Sequence, residues 1–303
     1  MEISIIVPVF NSASIIKSLV NELNSSLENI ECEYIFVNDK SSDSSWKILC
    51  ELAEKQKNIT AINLSRNFGQ DNAIMAGLNF SKGSYSVIMD DDLQHSPADI
   101  PKLIDKCKEG YDVCYANYSY NRKQKKWKVY GSLMNDSYAK YIINKPDDIY
   151  LSPFKIISRL IVDNIIKYAG PYPYIDGLIL RSTSSITYIN VMHRERHSGK
   201  SNYSLKKSIK VFVNHITGFS IFPLRLVACF GAIIALLGFI LGIYYIFQYF
   251  NGNSPEGWTT IVILILFING SLFLALGIIG EYIGRLYIQK NKQPQYIIRE
   301  ITK

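Results

Sequence analysis

The sequence predicts an α/β protein: a doubly wound, Rossmann-like sheet, then an amphipathic helix, then a hairpin of two membrane helices. Three observations predict it. Short apolar runs alternate with helix-period segments from Ser4 to Ala116, a basic amphipathic stretch begins near Leu205, and two long uncharged runs lie between Leu226 and Gly280. Alternation of the first kind builds a mostly parallel sheet with helices on both faces.

The elements follow in order. Ser4–Val9 is a short apolar strand, and Ser14–Leu27 carries Ile15, Ile16, Leu19, Val20 and Leu23 at helical period. Tyr34–Val37 and Ile59–Leu64 are the next strands, with a helix over Ser44–Lys57 between them. Strands at Tyr85–Met89 and Asp112–Ala116 alternate with helices near Asn72–Phe80 and Pro97–Lys108.

Downstream, Leu205, Ile209, Phe212, Val213 and Ile216 recur at helical spacing among Lys206, Lys207 and Lys210. That pattern suits a helix lying on an anionic membrane surface. Leu226–Phe247 holds no charge, and roughly 22 helical residues span about 33 Å, enough to cross a bilayer. A second uncharged stretch runs from Gly257 to Gly280. The turn between them carries only an acidic charge, whereas Arg225 and Arg285 with nearby lysines flank the outer ends, so both termini are expected in the cytoplasm. The expected boundaries are 1–203 for the catalytic domain, 204–222 for the amphipathic helix, and 223–303 for the hairpin. Its spans lie near 226–249 and 258–280, with a short C-terminal tail.

Composition narrows the chemistry. Lys+Arg 33 against Asp+Glu 26 leaves a net charge of +7, which favours anionic partners. The five cysteines are scattered without a C-x-x-C pair, which reads as reduced thiols, not as a zinc site or disulfide framework. Met1-Glu2-Ile3-Ser4 lacks the basic start of a secretory signal. No nucleic-acid motif occurs, and neither G-x-G-x-x-G nor G-x-x-x-x-G-K-[ST] follows the first strand, so nucleic acid, nicotinamide dinucleotide and P-loop readings fall away.

In a doubly wound sheet ligands bind beyond the carboxyl ends of the strands. Those ends carry Pro8-Val9-Phe10-Asn11, Asn38-Asp39-Lys40-Ser41-Ser42-Asp43, Ser65–Gln70 and Asp90-Asp91-Asp92-Leu93-Gln94-His95. Alternate residues of an extended segment project to one side, so Asp90 and Asp92 can share a ligand while Asp91 points elsewhere. Two hard carboxylates suit Mg²⁺ or Mn²⁺ carried with a diphosphate. His95 reads as a cap for the helix near Pro97, and Asp176 as a turn residue, with cation support or acid–base work as alternatives.

These motifs, with Arg196-x-x-Gly199-x-Ser201-Asn202-Tyr203 and Gly280-Glu281-Tyr282-Ile283-Gly284-Arg285, resemble glycosyltransferase family 2, and within it the bacterial polyprenyl-phosphate glycosyltransferases. Arg66-Asn67-Phe68-Gly69-Gln70 and Ala73-Ile74-Met75-Ala76-Gly77 are most similar to the formyl-aminoarabinose transferases of that group. The resemblance implies a GT-A fold, inverting transfer from a nucleotide-diphosphate sugar, a polyprenyl phosphate acceptor, a homo-oligomer, and a bacterial inner-membrane location. It implies donor contacts for Pro8, Phe10, Asp39, Asp90 and Gln94, with the metal held by Asp92 and Asp90. Arg196 and Ser201 are implied to close the site over the phosphates. The chain departs from the family pattern at Ser12, Asn38 and Lys40, and at Ser152-Pro153-Phe154-Lys155, where relatives carry Gly-Asp-Phe-Arg.

Pro153 cannot replace a basic Asp, yet a phosphate monoester is largely dianionic at neutral pH and needs no base. It needs positioning and relief of repulsion, and Arg122, Lys126, Lys155 and Arg196 are the expected clamp. A glycan hydroxyl acceptor, or a membrane-anchored sugar-nucleotide-binding protein without turnover, are the alternative readings.

Overall fold

The computed structural model describes residues 2–118, 146, 149–170, 172–192, 222–251, 257–290 and 294–303. They divide into two units, one within 1–203 and 292–303, the other within 204–291. Arg122, Lys126, Arg196, Ser201 and the amphipathic stretch lie outside the described residues.

The first unit is built on β1 (Ile3–Val9), β2 (Cys32–Asn38), β3 (Ile59–Leu64) and β4 (Tyr85–Ile88), all parallel where they pair. Every residue of β1 is buried, as a central strand covered on both faces requires. Helices α1 (Ile16–Ser26), α2 (Ser45–Lys55), α3 (Gln70–Phe80) and α4 (Ile100–Lys108) connect and cover the strands. Apolar residues of α1 at Ile16, Leu19, Val20 and Leu23 are buried, as their period predicts. Gly77 of α3 lets that helix lie close on the sheet, since a β-carbon there would come within 2.5 Å of Ile6.

The sheet is mixed, which corrects the mostly parallel expectation. Its order is β7-β5-β6-β4-β1-β2-β3-β8. The expected fifth strand, β5 (Val113–Asn117), does not adjoin β4; β6 (Lys155–Ser158) lies between them, antiparallel to both. Helices α5 (Arg159–Ile165) and α6 (Ile175–Ser182) lead to β7 (Ile186–Asn190), parallel to β5. The C-terminal tail returns as β8 (Ile298–Thr302), antiparallel to β3 at the opposite edge.

The second unit holds α7 (Phe222–Phe250) and α8 (Trp258–Lys290), which touch each other. Their apolar side chains face outward, Phe239 at 67% and Phe273 at 72% exposure. Within α8, Phe267–Gly284 is long and apolar enough to cross a membrane; the corresponding described stretch of α7, Leu226–Leu241, is shorter. The second helix also runs ten residues past the expected end at Gly280, through the Glu281–Arg285 motif.

Candidate active site

The crevice opens where the strand order reverses. β1 is flanked by β4 on one side and β2 on the other, and the segments leaving their carboxyl ends converge there. Pairing of β1 with β4 stops at Ile6↔Ile88, while pairing with β2 continues to Val9↔Asn38. Pro8, which has no N–H to donate, sits just past the end of the β4 ladder.

Three non-glycine residues have left-handed backbone among the described residues: Asn11 (φ 57°), Lys40 (φ 57°) and Leu93 (φ 59°). They belong to the turns after β1, β2 and β4, so strained backbone concentrates at the crevice. These turns hold one another. The Asn11 amide donates to Ser41 Oγ at 2.9 Å, and Asn11 Oδ1 accepts from the Ser42 amide at 2.8 Å. Phe10, 45% exposed, donates its amide to Asp91 Oδ2 at 3.3 Å. Asp91 thus points to the β1 turn.

Asp39 is buried, and both carboxylate oxygens accept from the loop before α3, from Phe68 N at 2.7 Å and Gly69 N at 2.9 Å. Burial pushes its pKa up, and the two amide bonds pull it back. A donor-facing role expected for Asp39 therefore goes with a second task, fixing the entry of α3. That helix starts with Gln70, whose Nε2 donates to Asp90 Oδ1 at 2.7 Å.

Asp90 and Asp92 stand on the turn after β4. Gln94 donates its backbone amide to Asp92 Oδ1 at 3.1 Å. Burial, then the charges of Asp92 and Asp91, push Asp90 up to about 7; burial foremost pushes Asp91 up to about 6. Carboxyls so raised mark negative charge in excess of its local compensation. Among the described residues no three metal-ligating side chains converge. Mg²⁺ and similar hard ions are usually bound by one or two carboxylates completed by substrate phosphates, so the Asp90–Asp92 pair fits such an ion.

Lys155 is the cation behind this turn, brought there by β6 through its register with Ile88. It is 3% exposed, and its ammonium is bound to Asp176 at the start of α6. Tyr115 donates its hydroxyl to the same Asp176 oxygen at 2.9 Å, and the Lys155 ammonium lies 5.2 Å from the Tyr115 ring centre. Lys155 also lowers the pKa of Asp90 and of Asp71; for Asp71, burial and the Asp176 charge outweigh it and leave the carboxyl raised to about 7. Its charge is thus committed to three carboxylates under the turn. That is a different geometry from the open phosphate clamp expected of Lys155, and Asp176 is its partner, not an isolated turn residue.

His95 does not cap the next helix; the short 3-10 turn Pro97–Asp99 has no side-chain cap. The ring is 4% exposed and stacks between Phe154 and Tyr118, at centroid distances of 5.2 and 5.6 Å. The Asp90 amide donates to its Nδ1 at 3.4 Å, which leaves the proton on Nε2 to bond the Tyr118 hydroxyl at 3.0 Å. Tyr118 Oη and Ser152 Oγ share a further hydrogen bond, and Ser152 Oγ also accepts from Phe154 N at 3.0 Å. His95→Phe keeps the stacking but strands the Asp90 amide and leaves the Tyr118 hydroxyl only its Ser152 bond. It is expected to lower unfolding stability by about 1–3 kcal/mol in denaturant titration.

An acidic turn beside two interlocked loops at a topological switch is where a doubly wound sheet binds its ligand. The chain belongs to glycosyl transferase family 2, whose model matches residues 4–166. A second model, the GtrB C-terminal hairpin, matches residues 222–286. The chain is 34% identical over 310 residues to the undecaprenyl-phosphate 4-deoxy-4-formamido-L-arabinose transferase of Proteus mirabilis, covering 99% of this chain and 94% of that one. It is 30% identical over 315 residues to the prophage bactoprenol glucosyl transferase homolog of Escherichia coli K12, covering both fully at 100%. Among solved structures, glucosyl-3-phosphoglycerate synthase of Mycobacterium tuberculosis superposes with a TM-score of 0.54 at 16% identity. That match covers 72% of this chain and 80% of the synthase, and it shows the fold.

Proposed function

We propose that this glycosyltransferase moves a sugar from a nucleotide-diphosphate donor to a polyprenyl phosphate, undecaprenyl phosphate in a bacterium, at the cytoplasmic membrane face. One observation carries the reading: a single chain joins the acidic crevice after β4 to an apolar helical pair matching the GtrB hairpin. Relatives spanning nearly its whole length are named as undecaprenyl-phosphate or bactoprenol sugar transferases. In this reading α7 and α8 cross the bilayer, both termini are cytoplasmic, and the 204–222 helix lies on the inner leaflet.

The donor sits over the switch point, with its nucleotide near Pro8, Phe10 and Asp39 and its sugar near Gln94. Asp90 and Asp92 would hold Mg²⁺ or Mn²⁺, which supplies charge neutralisation to the departing diphosphate. Asp39 and Gln70 keep the α3 entry and Asp90 in place. The acceptor arrives already dianionic. One of its phosphate oxygens forms the new bond to the anomeric carbon, and the old carbon–oxygen bond breaks with its electron pair leaving on the nucleoside diphosphate. Inversion follows from that single displacement. No proton has to be removed from the acceptor, so Pro153 costs the reaction nothing. Arg122, Lys126, Arg196 and Ser201 are proposed to position the acceptor phosphate, with Lys155 supporting the acidic turn from below.

The test uses membranes containing the full chain, a panel of radiolabelled nucleotide sugars, added polyprenyl phosphate, and Mg²⁺ or Mn²⁺. A lipid-linked product released by mild acid is expected. An acid-stable product overturns the acceptor assignment in favour of a glycan hydroxyl, and donor binding without turnover overturns catalysis.

A further inference from the structure

The C-terminal strand does more than lengthen the sheet. A file of polar side chains runs from it beneath the strand ends to the donor loops. Glu300 of β8 accepts at Oε1 from Asn63 Nδ2 of β3 at 2.8 Å. Asn63 Oδ1 accepts from Asn38 Nδ2 of β2 at 2.8 Å. Asn38 Oδ1 accepts from the Ser41 amide at 3.2 Å and from the Ser41 hydroxyl at 2.5 Å. Ser41 Oγ in turn accepts from the Asn11 amide at 2.9 Å. The two amides in the middle are 1% and 5% exposed, so water cannot substitute for a missing partner.

The file has one direction. A backbone N–H can only donate, and a carboxylate can only accept. With the Ser41 amide at one end and Glu300 at the other, both asparagine amides have a single orientation. The strand at the very end of the chain thereby sets the side chain that supports the turn carrying Asp39 and Lys40.

We propose that Glu300 is a positioning residue for the donor nucleotide, acting through Asn63 and Asn38 on the 38–43 turn. The inference rests on the donor site assigned above. It requires that a carboxylate be accepted at only one end of the file. Asn38→Asp puts acceptors at both ends: Asn63 can turn its nitrogen to the new carboxylate, but its carbonyl then faces Glu300. Glu300→Gln alone is tolerated, because the Gln carbonyl still accepts from Asn63. Combined with N38D, the Gln amide turns its nitrogen to the reversed Asn63 and completes the file again.

The experiment takes the full chain in detergent and measures binding of UDP, GDP, CDP, ADP and dTDP with Mn²⁺, following whichever binds. Thermal melting and amide-exchange protection of residues 38–43 are recorded alongside. N38D is expected to weaken nucleotide binding about tenfold and to expose the 38–43 amides, E300Q to stay within about twofold, and N38D/E300Q to recover most of the loss. Should N38D not fold, recovery of a folded, nucleotide-binding chain by E300Q reads the same coupling. Binding by N38D at the wild-type level, or a double variant as weak as N38D, overturns the proposal. So does coupling seen in melting with nucleotide affinity unchanged. A wild-type chain that binds none of the five overturns the donor reading itself, a separate outcome from binding without coupling.

Discussion

Asp92→Asn is expected to cut sugar transfer by about 10³-fold while leaving the melting temperature equal or higher. The two directions follow from one geometry. Asn keeps an oxygen for the Gln94 amide, which Asp92 Oδ1 accepts at 3.1 Å, so the turn retains its bond. What goes is one of two carboxylates able to hold a divalent ion. Losing several kcal/mol of charge stabilisation at the leaving diphosphate corresponds to about three decades of rate. Stability moves the other way because Asp92 is a leading charge that lifts Asp90 to about 7, and neutralising it eases that repulsion. Transfer assays and Mn²⁺ titration by calorimetry check the first half, and melting without added metal checks the second. A variant that melts lower and transfers normally would mean the turn is a structural cap.

Much of this arrangement is legible in the sequence, for identifiable reasons. β1 to β4 and the helices between them are strongly periodic, and chemistry at a switch point follows from strand order alone. The acidic turn announces itself by three adjacent aspartates. Lys40 adopts the left-handed backbone that Gly would adopt at no steric cost (φ 57°). What escapes a sequence reading is non-local. β6 has only two apolar residues inside four, and nothing in Lys155-Ile156-Ile157-Ser158 shows that its register would sink Lys155 beside Asp90. Asp176 lies 21 residues further on and meets Lys155 only because α6 returns to the same end of the sheet. β8 reads as a polar tail, since Arg299 and Glu300 are exposed, and only pairing with β3 makes it a strand. His95 escapes for the same reason. Its partners, Tyr118 and Phe154, are distant in sequence, and no local pattern announces a stacked ring beneath a turn.

Lys155→Met is expected to cost roughly 2–3 kcal/mol of folding stability, since it leaves the partly buried Asp176 without its cation. The loss carries a pH signature that a simple packing defect would lack. In the unfolded chain Asp71 and Asp90 titrate near 3.8, whereas burial and neighbouring carboxylates hold both near 7 in the fold. The folded chain therefore binds more protons between those values, and stability without metal falls as pH rises from 3.8 to about 7. Lys155 restrains both shifts. Without it each pKa climbs further, so the decline extends to higher pH and its total grows. Since Asp90 must ionise to hold a divalent ion, the acid limb of the transfer profile moves alkaline in the variant. Lys155→Met/Asp176→Leu separates the two effects. Removing both members of the pair restores most of the stability, yet Asp90 still lacks its cation, so the acid limb stays displaced. Denaturant titration across pH and kcat/KM profiles measure the two quantities, and an acid limb that returns with stability would remove Lys155 from the electrostatics of the site.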